Sequence, residues 1–196
     1  MTTNRTRTFA AVAAIAVGVS LTACSQDSEP TPAAASSAAP TSAVETTTTE
    51  PVPTDSSDKT AAAGTESKLT VTDVRVGTHE GFDRVVYELG GSGTPGWRVK
   101  YVDAPTQEGS GTAVNVNGGA VIQVLIDGSA YPFDSGVEQF PGPDPVAGPA
   151  GGVVTEVRGW SVFEGVTQSF IGLTDKRPYT VTALTDPARV VVDVAR

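Results

Sequence analysis

One histidine, His79, and one cysteine, Cys24, bound the chemistry open to this 196-residue chain. A lone histidine excludes paired-histidine sites and histidine-based metal clusters, and a lone cysteine excludes an internal disulfide or a two-thiol metal site. His79 lies in GTHEGFD and reads as a solvated hairpin residue. The sequence contains no GxSxG, HExxH, Walker loop or dinucleotide fingerprint. The stretch GGSGTPG at 90–96 joins two short strands without a lysine or a following helix, so it reads as a loop and not a phosphate cradle. No catalytic residue, metal or cofactor is expected.

Acidic side chains are plentiful, and Asp83, Glu88, Asp103 and Asp193 include candidates for a glycosidase-like pair. Asp83, beside Arg84, reads instead as a turn cap or local ion pair. Asp193, near the end of the last strand, reads as the partner of a neighbouring donor. Two features remain as candidate ligand-binding groups. Arg75 and Arg158 each follow an acid by two residues, Asp73 and Glu156, and are either solvated surface pairs or a duplicated binding face. Tyr131, Phe133 and Phe140 lie in a 26-residue connection, 127–152, that shows no periodicity. Connections that long are often functional or disordered. The three rings either cover an open sheet edge, the favoured use, or present their faces to sugar rings.

Cys24 calls for a different chemistry. Arg5 and Arg7 are the only charges ahead of it, and FAAVAAIAVGVSL, Phe9 to Leu21, is an apolar run of 13 residues. That is short of the ~20 residues a spanning helix needs, and it matches the apolar core of a secretory signal. Leu21, Thr22, Ala23 and Cys24 resemble the bacterial lipobox, which implies cleavage after residue 23 and diacylation of the Cys24 thiol. Two or more acyl chains anchor a protein stably to a bilayer where one does not. The expected location is the extracytoplasmic face of the cell membrane.

The chain carries a net charge of −9, which becomes −11 without residues 1–23 and their two arginines. A protein this acidic repels phosphate backbones, so nucleic acid is not an expected partner. From Ser25 to about Ser67 the sequence is Ala, Ser, Thr, Pro and Glu, with too little apolar surface to offset ordering entropy. Residues 24–67 therefore read as a disordered tether spanning roughly 35–40 Å, with Ser and Thr beside Pro as sites for O-linked sugars.

From Lys68 to Arg196 the texture is β-rich. Eight short runs, from LTVTDVRV to RVVVDVA, alternate or cluster apolar residues between Gly, Pro, Asp and Asn. The last four echo the first four. VTDVR at 71–75 returns as VTEVR at 154–158, HEGF at 79–82 returns as FEGV at 163–166, and YVDAP returns as ALTDP, at separations of 82 to 84. A period this long marks a duplicated half-domain. Two four-stranded halves with apolar inner faces predict an all-β sandwich with Val74 and Val157 in its core.

The run GFDRVVYELGG, PGWRVKYVD, FEGVTQSFIGL and RPYTVTALTDPARVVVDVA resembles the AMIN-like domain of actinobacterial lipoproteins, related to the AMIN family of bacterial envelope domains. The resemblance implies a β-sandwich over 68–196 and an envelope-targeting role, in some relatives through peptidoglycan. The expected function is a lipid-anchored, non-catalytic envelope module that binds wall polymer or recruits an envelope complex. A protein-interaction scaffold and an envelope hydrolase remain as alternatives.

Overall fold

The computed structural model describes residues 50–196, so Cys24, the lipobox motif and the tether as far as residue 49 lie outside it. In chain order the described residues form β1 (Lys59–Ala61), β2 (Lys68–His79), β3 (Phe82–Ser92), β4 (Gly96–Tyr101), β5 (Ala120–Asp127), α1 (Pro132–Ser135), β6 (Val146–Ala147), β7 (Val154–Phe163), β8 (Val166–Leu173), β9 (Tyr179–Leu184) and β10 (Ala188–Ala195). All eight expected runs are strands. The strands make two antiparallel sheets, a larger one in the order β1-β4-β5-β8-β7-β6 and a smaller one in the order β2-β3-β10-β9.

Alternation along the strands supplies the core. Val85 and Tyr87 of β3 and Val190, Val192 and Val194 of β10 join Ile122, Val124 and Ile126 of β5 and Ile171 of β8 in one buried cluster. Each such side chain contributes about 1.5–3 kcal/mol by leaving water. Val74 and Val157 are both buried in this layer, as the repeated motif predicted. Tyr87 and Tyr179 fit because their hydroxyls are satisfied, Tyr87 by Ser169 Oγ at 3.0 Å and Tyr179 by the Val99 carbonyl at 2.9 Å.

The halves do not coincide with the sheets. The first half sends β2 and β3 to the smaller sheet and β4 and β5 to the larger; the second half does the reverse with β7, β8, β9 and β10. Registers repeat accordingly. Val74 faces Tyr87 as Val157 faces Ile171, and Val192 faces Val85 as Val124 faces Ser169. A bulge between Val71 and Asp73 recurs between Val154 and Glu156. Each half folds as two hairpins that part company, so the two halves interlock and share one core.

A second bulge in β7, between Arg158 and Ser161, has no counterpart in β2. Gly159 occupies it with φ at 71°, a conformation glycine adopts without penalty. This extra residue explains why the repeat spacing grows from 83 at Val157 to 84 at Glu164.

Packed and paired residues lie upstream of the expected boundary at Lys68. Pro53 is buried, the Tyr179 N–H donates to the Asp55 carbonyl at 2.9 Å, and β1 pairs with β4 from Lys59↔Val99 to Ala61↔Trp97. An edge strand is held by backbone hydrogen bonds, so the Lys-Thr-Ala of β1 needs no apolar pattern to pair. The 127–152 connection is likewise more structured than its sequence suggests, since it contains α1 and β6. Its backbone accepts from Leu69 at Gly128 and donates to Val71 at Phe140, while β6 pairs with β7. One segment thus covers the exposed edges of both sheets, β2 on one side and β7 on the other.

Candidate functional site

The duplicated motif places Arg75 and Arg158 at equivalent positions on the outer faces of different sheets, where they look in opposite directions. Arg75 Nη1 lies 2.7 Å from Asp73 and 3.0 Å from Glu88. This is an exposed three-charge cluster on the smaller sheet. Arg158 Nε lies 3.3 Å from Glu156, which is 4 % exposed and also accepts the Asn117 N–H at 3.1 Å and Asn117 Nδ2 at 2.6 Å. Burial opposes ionisation of Glu156, but the hydrogen bonds from Asn117 and Arg158 outweigh it and hold the carboxyl below the usual range.

What distinguishes the two faces is the residue opposite the acid. Glu88 faces Asp73 in the smaller sheet, and Gly172 faces Glu156 in the larger. A Cβ on Gly172 would stand 2.1 Å from the Asn117 carbonyl oxygen and 2.6 Å from Thr155 Oγ1. Its absence lets the β4–β5 loop, residues 102–119, lie directly on the larger sheet. Gln168 fastens that loop further along, accepting the Glu108 N–H and donating to the Thr106 carbonyl, both at 2.9 Å. The equivalent β9–β10 connection has only residues 185–187 and builds nothing over the smaller sheet.

The loop is one wall of a groove of about 410 Å3. Gln107 and Asn115 stand on this wall, Arg158 and Gln168 rise from the sheet, and Gln139 and Asp144 come from the 127–152 connection. Trp160 and Phe170, 5 % and 3 % exposed, close the bottom. Trp160 is fixed there by the Gly159 bulge, by donation from Nε1 to the Phe140 carbonyl at 2.9 Å, and by the Phe140 ring at 5.2 Å. Asp144 Oδ1 accepts the Gly159 N–H at 3.3 Å and so ties the connection to the bulge. Asp144 and Arg158 are the only ionisable side chains among these walls.

A groove walled by amides and floored by aromatics, on a duplicated sandwich, coincides with a family match: the AMIN-like domain model covers residues 69–196. The chain belongs to the AMIN-like domain family. Neither the curated proteins nor the solved structures offer a match to it. Membership points to a cell-envelope-associated binding module.

Of the residues singled out in the sequence, only Arg158 reaches the groove of this AMIN-like domain. Phe140 supports Trp160 from behind, in keeping with an edge-covering role. Tyr131 and Phe133 stack on each other 5.4 Å apart, with Phe133 81 % exposed, and line no part of the groove. Arg75 lies beside Arg84 and His79 on the opposite face, where Glu50 reaches Arg84 at 3.0 Å and His79 stacks on Phe82. The candidate carboxylates are engaged separately. Asp83, wholly buried, accepts the Val153 and Val154 N–H groups, and Asp193 holds Arg84 at 2.7 and 2.8 Å. Glu88 is paired with Arg75, and Asp103 lies in the β4–β5 loop. Among the described residues no cluster of three His, Cys, Asp or Glu side chains is placed to hold a metal ion.

The groove's other residues escaped the sequence reading. Gln107, Asn115, Gln139 and Asp144 belong to no motif, and Gln168 lies in FEGVTQSFIGL without having been singled out. The signal that marks them is an asymmetry of the repeat: 18 residues join β4 to β5, whereas three join β9 to β10.

Proposed function

We propose that this chain is a lipid-anchored, non-catalytic module of the bacterial cell envelope that binds wall polymer. The observation that carries the reading is the AMIN-like domain match over 69–196. The lipobox-like Leu21–Cys24 and the acidic, Ser/Thr/Pro-rich stretch behind it support attachment to the outer face of the membrane through an acylated Cys24. The separate engagement of Asp83, Glu88 and Asp193 supports binding over hydrolysis, because each carboxylate is paired with its own neighbouring donor and no two face one another.

Two measurements test this. The full chain, purified in detergent, is expected to sediment with insoluble peptidoglycan; recovery wholly in the supernatant would remove the binding half of the proposal. Fatty-acid labelling is expected to disappear in Cys24→Ala, and persistent labelling of that variant would remove the anchor.

A further inference from the structure

We infer that the groove on the larger sheet is a binding site for a neutral, acetamido-bearing glycan, one or two sugar rings of which it encloses. This inference rests on the wall-polymer reading above and names the site and chemistry that would carry it. The groove's volume, about 410 Å3, lies in the range of small-molecule sites, ~300–1,000 Å3. Four carboxamides, from Gln107, Asn115, Gln139 and Gln168, stand around it; Gln168 is taken up by the loop backbone, and neither Asn115 nor Gln139 has a side-chain hydrogen bond to another described residue. A carboxamide offers both N–H donors and a carbonyl acceptor. An acetamido group is a trans amide whose N–H and C=O point to opposite sides, so carboxamides on the two walls of the groove can each close one hydrogen bond with it.

Charge selects against anions. Asp144 and Arg158 cancel within the groove, while the chain as a whole carries −9. Hydroxyl groups find a charged acceptor in Asp144 and a charged donor in Arg158, whose Nε is held by Glu156. The two halves of the domain supply an internal control. Glu88 stands where Gly172 stands, and the short 185–187 turn replaces the 102–119 loop, so the hollow beside Arg75 on the smaller sheet, about 240 Å3, has the arginine without a loop wall and without a carboxamide.

The test uses the full chain in detergent and two neutral trisaccharides, tri-N-acetylchitotriose and maltotriose, which lacks acetamido groups. Trp160 reports from the groove floor, and Trp97, the second tryptophan, lies in β4. Chitotriose is expected to change tryptophan emission saturably and maltotriose not to. The Asn115→Ala/Gln139→Ala double variant, with an unchanged melting curve, is expected to bind chitotriose about tenfold more weakly, the effect of losing one or two hydrogen bonds. Trp160→Phe should abolish the signal. Equal responses to both sugars, or an unaltered affinity in the double variant, overturns the inference. If the chain sediments with peptidoglycan but chitotriose neither binds nor competes, the wall-binding function stands and the groove assignment falls. If chitotriose binds while the chain fails to sediment, the groove stands and the wall-polymer reading falls.

Discussion

Glu88 and Gly172 occupy the same position in the two halves of the domain, and the difference between them decides on which outer face a connecting loop can settle. Opposite Asp73, Glu88 holds Arg75 at 3.0 Å and fills the surface of the smaller sheet. Opposite Glu156, Gly172 leaves bare backbone on which the 102–119 loop settles. The duplication kept the strands, the first bulge and the arginine, and diverged at the one site that sets loop access.

Gly172→Ala should therefore dislodge the loop. The added methyl would meet the Asn117 carbonyl oxygen at 2.1 Å, which is backbone and cannot rotate away. Overpacking of this kind costs about 1–3 kcal/mol. A lowered melting temperature with faster proteolytic cutting within 103–119 is the expected result; a melt and digestion pattern identical to the parent would show that the loop is held elsewhere.

Asp83→Ala should be among the most damaging single changes. Its Oδ2 accepts two N–H groups, from Val153 at 2.6 Å and Val154 at 3.1 Å, and Arg196 Nε stands 3.5 Å from Oδ1. Removing the carboxylate leaves two buried N–H donors unpaired, each costing about 1–3 kcal/mol. Asp83→Asn keeps an acceptor oxygen and should lose distinctly less. Denaturant melts of both variants check the order, and equal small losses would contradict it.

Val74→Asp and Val157→Asp each put a carboxylate into the shared core, where both valines are at most 3 % exposed. An unpaired buried charge costs several kcal/mol, comparable with the ~5–15 kcal/mol that holds a domain together. Arg75→Ala removes an exposed pair and should cost under about 1 kcal/mol. Thermal melts of the three variants measure the contrast, which reverses if the strand register is one residue out.

Acid should loosen the groove through Glu156. Its carboxyl is held below the usual range, so its contribution is complete above the unfolded value of about 4.3 and is lost as pH falls through the folded one. Glu156→Gln should flatten the decline of melting temperature below about pH 4.5. Parallel parent and variant curves across that window would show the carboxylate to be unlinked to folding.

Neither half should fold alone. A chain ending at Asp127 retains β2–β3 and β4–β5, whose pairing partners β10 and β8 are missing. Isolated hairpins are marginal in water. Near-ultraviolet circular dichroism of the 50–127 fragment should lack tertiary signal, and mixing it with 128–196 should restore it. A cooperative melt of the lone fragment would mean each half has a core of its own.

The strands and the core-facing side chains were legible because their information is local. Val190, Val192 and Val194 enter the core cluster while Val191 and Asp193, also buried, lie on the other face, and a period of two permits one register against the core. The repeat located Val74 and Val157 and the family resemblance without reference to any contact. Sheet membership was not local. Nothing in VTDVR or VTEVR tells which hairpin crosses to the other layer, so the two four-stranded halves left open which strands share a sheet. The groove was hidden for a related reason: Asn115, Gln139 and Asp144 meet only after two irregular connections cross the larger sheet. β1 was missed because pairing at an edge is made by main-chain groups that every sequence possesses.

The path of residues 50–61 has a mechanical meaning. Glu50 grips Arg84 on the smaller sheet, Asp55 is bonded to the start of β9, and Lys59–Ala61 are stitched along β4 at the rim of the larger sheet. A pull on the chain upstream of Glu50 is thus handed to one layer and then the other before it reaches any core side chain. Tension is divided across the seam of the sandwich instead of being concentrated on a single hairpin. The groove, on the face away from the Glu50–Arg84 contact, sits outside that line of force.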